Sequence, residues 1–456
     1  MSNAIYYFAF CVANVILLRE VNSIVTEPYM DEPFHVPQAQ AYCRGEWDTW
    51  DPKITTPPGL YVLSVLLSKL FLFKCNLSIL RLTPLISLLS LPIILTRLLS
   101  LQRRVRPPQE LLSPTSDALA ISLFPIAWFF GFLYYTDVPS LVLVLLSVTS
   151  ALQGSHTLSA LLGLASCAFR QTNIIWVIYA YAYSQLRALR YQPESSESEV
   201  KLYDPLALST TPSDLLKILF SVPRALPLIV CDAFPYAIDV FLFAMFVYWN
   251  DGIVLGDKSN HVPVVHIPQL YYFFAFATLF GWPALVSGPG GPSKLLNDVK
   301  TRMFGTAKRT AITVLSSLAV AVTVHFFTIH HPFLLSDNRH FTFYIWRRIF
   351  RFHPVIPYLF SPVYVACAWA WFIRIGASQT FLQTIALPLF AAPTLLLTPL
   401  LEPRYFLIPY VIMRAQIIDM PQWAVWLEGM WYTLINWGSM YIFLYMEREG
   451  VGRFMW

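Results

Sequence analysis

Between residues 27 and 43 the chain reads EPYMDEPFHVPQAQAYC, which crowds Glu27, Asp31, Glu32 and His35 into nine residues. A carboxylate held beside a hydroxyl can take its proton as the oxygen attacks an electrophile, which is general-base chemistry. Asp31 and Glu32 are adjacent, so in any regular element they point apart. One of them is the candidate base, and the other is left to position substrate or a neighbouring basic group. The plainer reading makes Asp31, with Pro33 after it, the N-cap of a short helix. His35 and Gln38 follow in an amphipathic stretch with Trp47 and Trp50, and are candidate substrate contacts.

Other polar clusters interrupt apolar sequence further on. SDNRH gathers Asp337, Asn338, Arg339 and His340. Arg beside His suits a lipid phosphate, because a guanidinium can bind two phosphate oxygens and an imidazolium a third; an Asp337–Arg339 ion pair is the bland alternative. LLEPR offers Glu402 and Arg404, as a structural pair or a phosphate contact. RQTN offers Arg170, Gln171 and Asn173. An unpaired guanidinium at bilayer depth costs ~2.5 kcal/mol or more, so Arg170 must reach water, a carboxylate or a phosphate, unless RQTN is a tight polar turn. YYTDVPS adds Asp137, and GDKSNH adds Asp257 and His261. His261 and His266 match no zinc spacing, so no metal or other cofactor is expected. Walker A, GxGxxG, GxSxG and HExxH patterns are absent. A soluble nucleotide-sugar site is therefore unsupported, nothing points to nucleic acid, and any activated donor is expected to be lipid-borne.

The elements that must position these residues lie in a bilayer. Of 456 residues 56% are hydrophobic and only 12% charged, against roughly 25% in an average soluble domain. The chain reads as one all-α polytopic unit, residues 1–456, starting with a retained first span. At about 20 apolar residues per crossing, spans are expected near 5–24, 78–100, 118–135, 138–153, 157–170, 173–188, 226–249, 269–287, 310–328, 355–374, 381–400, 404–418 and 423–446. That is about 13 spans. Residues 58–73, interrupted by Lys69, are expected to form a short re-entrant or interfacial helix, suited to wall a lipid groove. The basic loops 101–117, 187–224 and 288–309 are then cytoplasmic, with PESSESE in the second a solvated connector. The polar clusters share the opposite face, with a first loop of about 26–57. WRRIFRF (346–352) breaks the rule by landing there too, and reads as an interfacial amphipathic stretch. The six cysteines are scattered without metal spacing and read as buried free thiols.

YMDEPFHVPQAQAYC, LYYTDVPS, FRQTNIIW, HPFLLSDNRHFTFYIWRR, LLEPRYFLIPY and the terminal RFMW together resemble the dolichyl-phosphate-glucose-dependent alpha-1,2-glucosyltransferases of the endoplasmic reticulum. The resemblance implies a C-type glycosyltransferase fold in that membrane, with its active site facing the lumen. It implies a dolichyl phosphate glucose donor and a dolichyl-diphosphate-linked oligosaccharide acceptor. It also implies a base in the first lumenal loop, Asp31 before Glu32, with Arg339 and His340, then Arg170 and Arg404, as phosphate-binding candidates. A sister transferase moving mannose or an earlier glucose is the nearest alternative. A lipid transporter or flippase is the other, against which stand the absent repeat and the one-sided polar clusters.

Overall fold

The computed structural model describes residues 2–191, 202–258 and 264–456, and among these it is helical, with only isolated bridges in place of sheet. The order begins α1 (Ser2–Ile24), α2 (Glu32–Cys43), α3 (Gly59–Phe71), α4 (Leu77–Leu80), α5 (Leu82–Arg103), α6 (Ser116–Ser122), α7 (Pro125–Phe130), α8 (Asp137–Leu152), α9 (His156–Cys167) and α10 (Ile174–Arg190). It continues with α11 (Pro212–Val230), α12 (Phe234–Trp249), α13 (Pro268–Val286), α14 (Gly291–Phe304) and α15 (Ala307–Phe327). The last elements are α16 (Pro332–Ser336), α17 (Phe341–Ile345), α18 (Ile356–Leu359), α19 (Ser361–Gly376), α20 (Phe381–Leu396), α21 (Leu407–Ala415) and α22 (Gln422–Tyr445). Five described stretches are long and apolar enough to cross a membrane: Asn3–Ile24, Leu77–Arg103, Pro268–Val286, Ala307–Phe327 and Ile356–Gly376.

Shorter helices replace several expected spans. The 118–135 segment is cut at Pro125, which supplies no amide hydrogen and opens α7 as a new helix. The 404–418 segment keeps α-helix only over α21, all of whose residues are buried, with a 3-10 turn at Pro403–Phe406 before it. Such pieces suit membrane depth only where protein surrounds them. Two expected loops also hold helices. α11 begins with a capping box between Thr211 and Asp214 and turns Leu215, Leu216, Leu219 and Phe220 outward, and α14 occupies 291–304. The PESSESE connector lies outside the described residues.

Long-range bonds sort the helix termini into two ends. At one end, Arg81 meets Val25, Glu32 meets Tyr134, Arg170 meets Asp137, Arg404 meets Asp31 and Asp257 meets Pro52. At the other, Arg103 meets Ile418, Arg187 meets Leu101, Arg190 meets Ser378, Arg302 meets Leu208 and Arg374 meets Asp419. Both termini of α3 belong to the first end. The Gly59 amide bonds the Ala168 carbonyl at 2.7 Å, and just beyond α3 a Cys43–Cys75 disulfide ties the chain back to α2. That bond corrects the free-thiol expectation for two of the six cysteines; Cys11, Cys167, Cys231 and Cys367 are free. Spacing alone carried no sign of a pair 32 residues apart.

Candidate active site

Asp31 stands immediately before α2, and its side chain does not cap that helix. It turns instead to Arg404, whose Nη1 donates to Oδ2 at 2.9 Å, while its own backbone amide donates to the Tyr135 hydroxyl. Arg404 follows Pro403 in a short 3-10 turn, close to the rings of Phe130 and Tyr135, and also donates from Nε and Nη2 to Glu402. One guanidinium thus joins the first loop to the segment before α21. Burial opposes the charge on Asp31, and the Arg404 guanidinium with His35 behind it outweighs burial, holding the carboxyl below the usual carboxylate range.

Glu32 faces the other way. It is fully buried, and its two oxygens accept from Arg81 Nε at 2.8 Å, Arg81 Nη2 at 2.6 Å and the amides of Tyr29 and Tyr134. Four donors on one carboxylate leave it no place to receive a substrate proton. Arg81 also donates to the Val25 carbonyl, so the pair fixes the exit of α1, the entry to α5 and the turn before α8 together. Adjacent acids therefore have separate tasks: Glu32 anchors the loop and Asp31 faces solvent.

Asp31 and Arg404 border an open cleft of about 880 Å³, whose lining also includes Asp337, Asn338, Arg339, His340 and Glu402. Three distant clusters of the sequence meet here. Asp337 takes Arg339 in a two-pronged pair at 2.8 and 2.7 Å, the bland alternative for this loop. His340 bonds the Trp456 carbonyl through Nδ1 and stands with Nε2 3.7 Å from Asp337. Asn338 offers its carbonyl to Arg448. The flank formed by Phe333, Leu334, Leu400 and Leu401 is apolar.

The remaining candidates stand behind or beside this cleft. Asp137, buried at the start of α8, accepts from Arg170 Nη2 at 2.6 Å, and its second oxygen lies 4.0 Å from Arg404. Arg170 thus meets the carboxylate its position demanded, near the Tyr405 ring. His35 bonds the Tyr61 hydroxyl through Nδ1, and burial, against the pull of Asp31, lowers its pKa. Gln38 spans the Thr49 carbonyl and the Asp51 amide, Gln171 holds the Thr55 carbonyl, and Asn173 bonds Ser140 and the Ser166 carbonyl. These three buried amides brace loops behind the cleft and are not among its lining residues. Asp257 docks its backbone on Pro52. Gly256 beside it has φ +61, and a Cβ there would meet the Pro52 oxygen at 2.3 Å. His261 lies outside the described residues.

Sequence reasoning assigned no role to Arg81, Arg448, Tyr135 or the tail around Gly450–Trp456, although the last two lie in or overlap motifs that carried the resemblance, and all of them build this end. Arg81 carried a usable signal: it opens a long apolar run, and the argument that required a partner for Arg170 applies to it equally.

The arrangement presents a carboxylate whose pKa is held below the usual range and paired but partly exposed guanidinium groups on one open cleft. That combination can take a proton from a hydroxyl while neutralising a phosphate. The pattern of the DIE2/ALG10 family matches residues 25–415. The chain is 34% identical to a mouse (Mus musculus) protein named Dol-P-Glc:Glc(2)Man(9)GlcNAc(2)-PP-Dol alpha-1,2-glucosyltransferase, over 99% of each chain. Proteins of the same name from Homo sapiens, over 97% of this chain and 96% of the relative, and from Arabidopsis thaliana, over 96% of each, are also 34% identical. No solved structure matches the chain.

Proposed function

Given that the chain belongs to the DIE2/ALG10 family, we propose that its cleft performs the reaction its relatives are named for. Glucose passes from dolichyl phosphate glucose to the terminal glucose of the diglucosylated, dolichyl-diphosphate-linked oligosaccharide, with inversion to an alpha-1,2 linkage. Asp31 is the base. As the acceptor 2-hydroxyl oxygen bonds to the anomeric carbon, its proton passes to Asp31. The carbon–oxygen bond to phosphate breaks, and dolichyl phosphate leaves with the electron pair. The leaving group is already stable, so it needs charge stabilisation more than protonation. Arg404 is the first candidate for that role, with His340 and Arg339 across the cleft. A phosphate that draws Arg404 toward itself loosens its hold on Asp31 and raises the basicity of that carboxylate as the donor arrives. The apolar flank at Phe333 and Leu400 receives the first isoprene units.

The single observation that carries this reading is the division of labour between Asp31 and Glu32. The sidedness has separate support. Thirteen crossings, with α3 returning to its own side, leave the basic loops at one end and the cleft at the other. The Cys43–Cys75 disulfide sits at the cleft end, where an oxidising lumen would maintain it. We therefore read a multi-pass endoplasmic reticulum membrane protein with a lumenal cleft and a C-type glycosyltransferase fold, a single unit from end to end.

The test is glucose transfer by purified protein from dolichyl phosphate glucose to the diglucosylated acceptor. Collapse of transfer in Asp31→Asn, with the variant folded and monodisperse, is the expected result. Equal activity in Asp31→Asn overturns the base assignment, and a folded wild type that transfers nothing overturns the function.

A further inference from the structure

The basic stretch that breaks the charge rule is not absorbed by the cleft. Residues 341–359 run from α17 through a π turn at Trp346–Phe350 to α18, joining the cleft-side ends of α15 and α19. Trp346 is buried and stacks on Phe350, which packs against Tyr272 and Phe360, so the stretch is pinned to the bundle. Its outer surface is amphipathic. Ile345, Ile349 and Phe352 are exposed, and Phe352 retains 80% of its accessible surface. Arg347, Arg348 and Arg351 are exposed beside them, the first two held over the rings of Phe343 and Tyr344 at 5.8 and 5.5 Å.

None of these three arginines makes an ion pair among the described residues, whereas Arg81, Arg170, Arg339, Arg404 and Arg453 at the same end all do. The sequence provides no local partner either, since no Asp or Glu occurs from 338 to 401. Three guanidinium groups without an ion-pair partner, beside exposed apolar side chains, fit an anion at headgroup depth that carries an apolar chain.

We propose that Arg347, Arg348 and Arg351 anchor the diphosphate of the lipid-linked acceptor, outside the cleft where transfer occurs; this rests on the function proposed above. The donor phosphate cannot be the occupant, because the bond that breaks must lie beside Asp31. The acceptor that the relatives are named for carries Glc(2)Man(9)GlcNAc(2) on its diphosphate, so the reacting glucose is a whole glycan away from the phosphates. The diphosphate must therefore rest at the bilayer surface at some distance from Asp31, on the same side. A diphosphate offers more charge and more acceptor oxygens to three forked donors than a phospholipid diester does.

The test compares wild type with Arg347→Gln/Arg348→Gln/Arg351→Gln in phosphatidylcholine vesicles with and without phosphatidylserine, using the lipid-linked acceptor and the same glycan freed of diphosphate and lipid. The expected result is a KM for the lipid-linked acceptor raised by about 10-fold or more, with unchanged kcat, unchanged donor KM and equal use of the free glycan by both proteins. The matching Lys triple recovers part of the loss, because charge survives where the fork does not. An unchanged KM overturns the anchor, as does an equal loss on the free glycan, which places the defect in the cleft. A loss confined to vesicles containing phosphatidylserine overturns it in favour of a general anionic-lipid contact. Wild type inactive on both acceptors fails differently, because it removes the transferase function itself.

Discussion

Two arginines at opposite ends of the bundle each hold two carboxylates, and their surroundings give them opposite characters. Arg414 donates to Glu428 and Asp117, with side-chain exposures of 0%, 0% and 5%, and the Tyr432 hydroxyl closes the group. Arg404 donates to Asp31 and Glu402, with exposures of 17%, 39% and 20%. The ingredients match, yet one group is sealed and the other opens on a cleft. Among the described residues the only further ion-pair partner of this group is Arg103 of α5, which also reaches Asp117, so its ion pairs hold α5, α6, α21 and α22 together. An open group can trade a carboxylate for an incoming phosphate. Accessibility, more than composition, separates a lock from a site.

The comparison is sharpest in the kinetics of Asp31→Asn. Transfer is expected to fall by about 10² to 10⁴ with the thermal unfolding midpoint in detergent unchanged, and a large drop in that midpoint would make Asp31 structural as well. Next, Arg414→Ala strands the fully buried Glu428, while Asp117 keeps Arg103, and is expected to destabilise by about 3–5 kcal/mol, seen as loss of monodisperse protein. Arg404→Ala is expected to keep its fold while losing transfer, and equal unfolding of the two would erase the distinction. Breaking the disulfide with Cys43→Ser is expected to cost about 2–4 kcal/mol in thermal unfolding, with residual activity per folded molecule retained.

The smallest effect concerns pH. Arg404 keeps Asp31 ionised below the ordinary carboxylate range, so wild-type transfer should show no acid limb from this group near neutrality. Without the guanidinium the folded pKa rises, and the proton-accepting form is lost at a higher pH as acid is added. The residual activity of Arg404→Gln should therefore decline at higher pH than that of wild type, and superimposable profiles would contradict the coupling.

Much of this was legible in the sequence because hydropathy and lone charges are local properties. Runs such as 268–286 and 422–445 appear as helices almost where their apolar content places them. Asp31, Arg404 and the SDNRH cluster were visible because polar groups are rare in such a chain. Their pairing was not, since Asp31 and Arg404 are 373 residues apart and only the packed bundle brings them together. The same limit hid the Arg81–Glu32 anchor and the disulfide. The loop-bracing bonds of Gln38, Gln171 and Asn173 were hidden for a related reason: an amide that braces a loop and an amide that binds sugar have the same letter. α11 and α14 were missed because an amphipathic helix at a membrane surface averages to modest hydropathy.

The seat of Tyr29 has a consequence for how the protein is made. Its hydroxyl bonds the carbonyl of Arg453, 424 residues later, and Met455 and Trp456 complete the wall that begins at Pro28. Two segments 424 residues apart thus close the same cleft. Asp31 precedes nearly every helix in chain order, whereas part of the wall facing it comes from residues that follow α22. The chamber around Asp31 therefore cannot assemble until α22 is in place and the segment behind it has folded back, and cutting the chain just after α22 is expected to open the cleft.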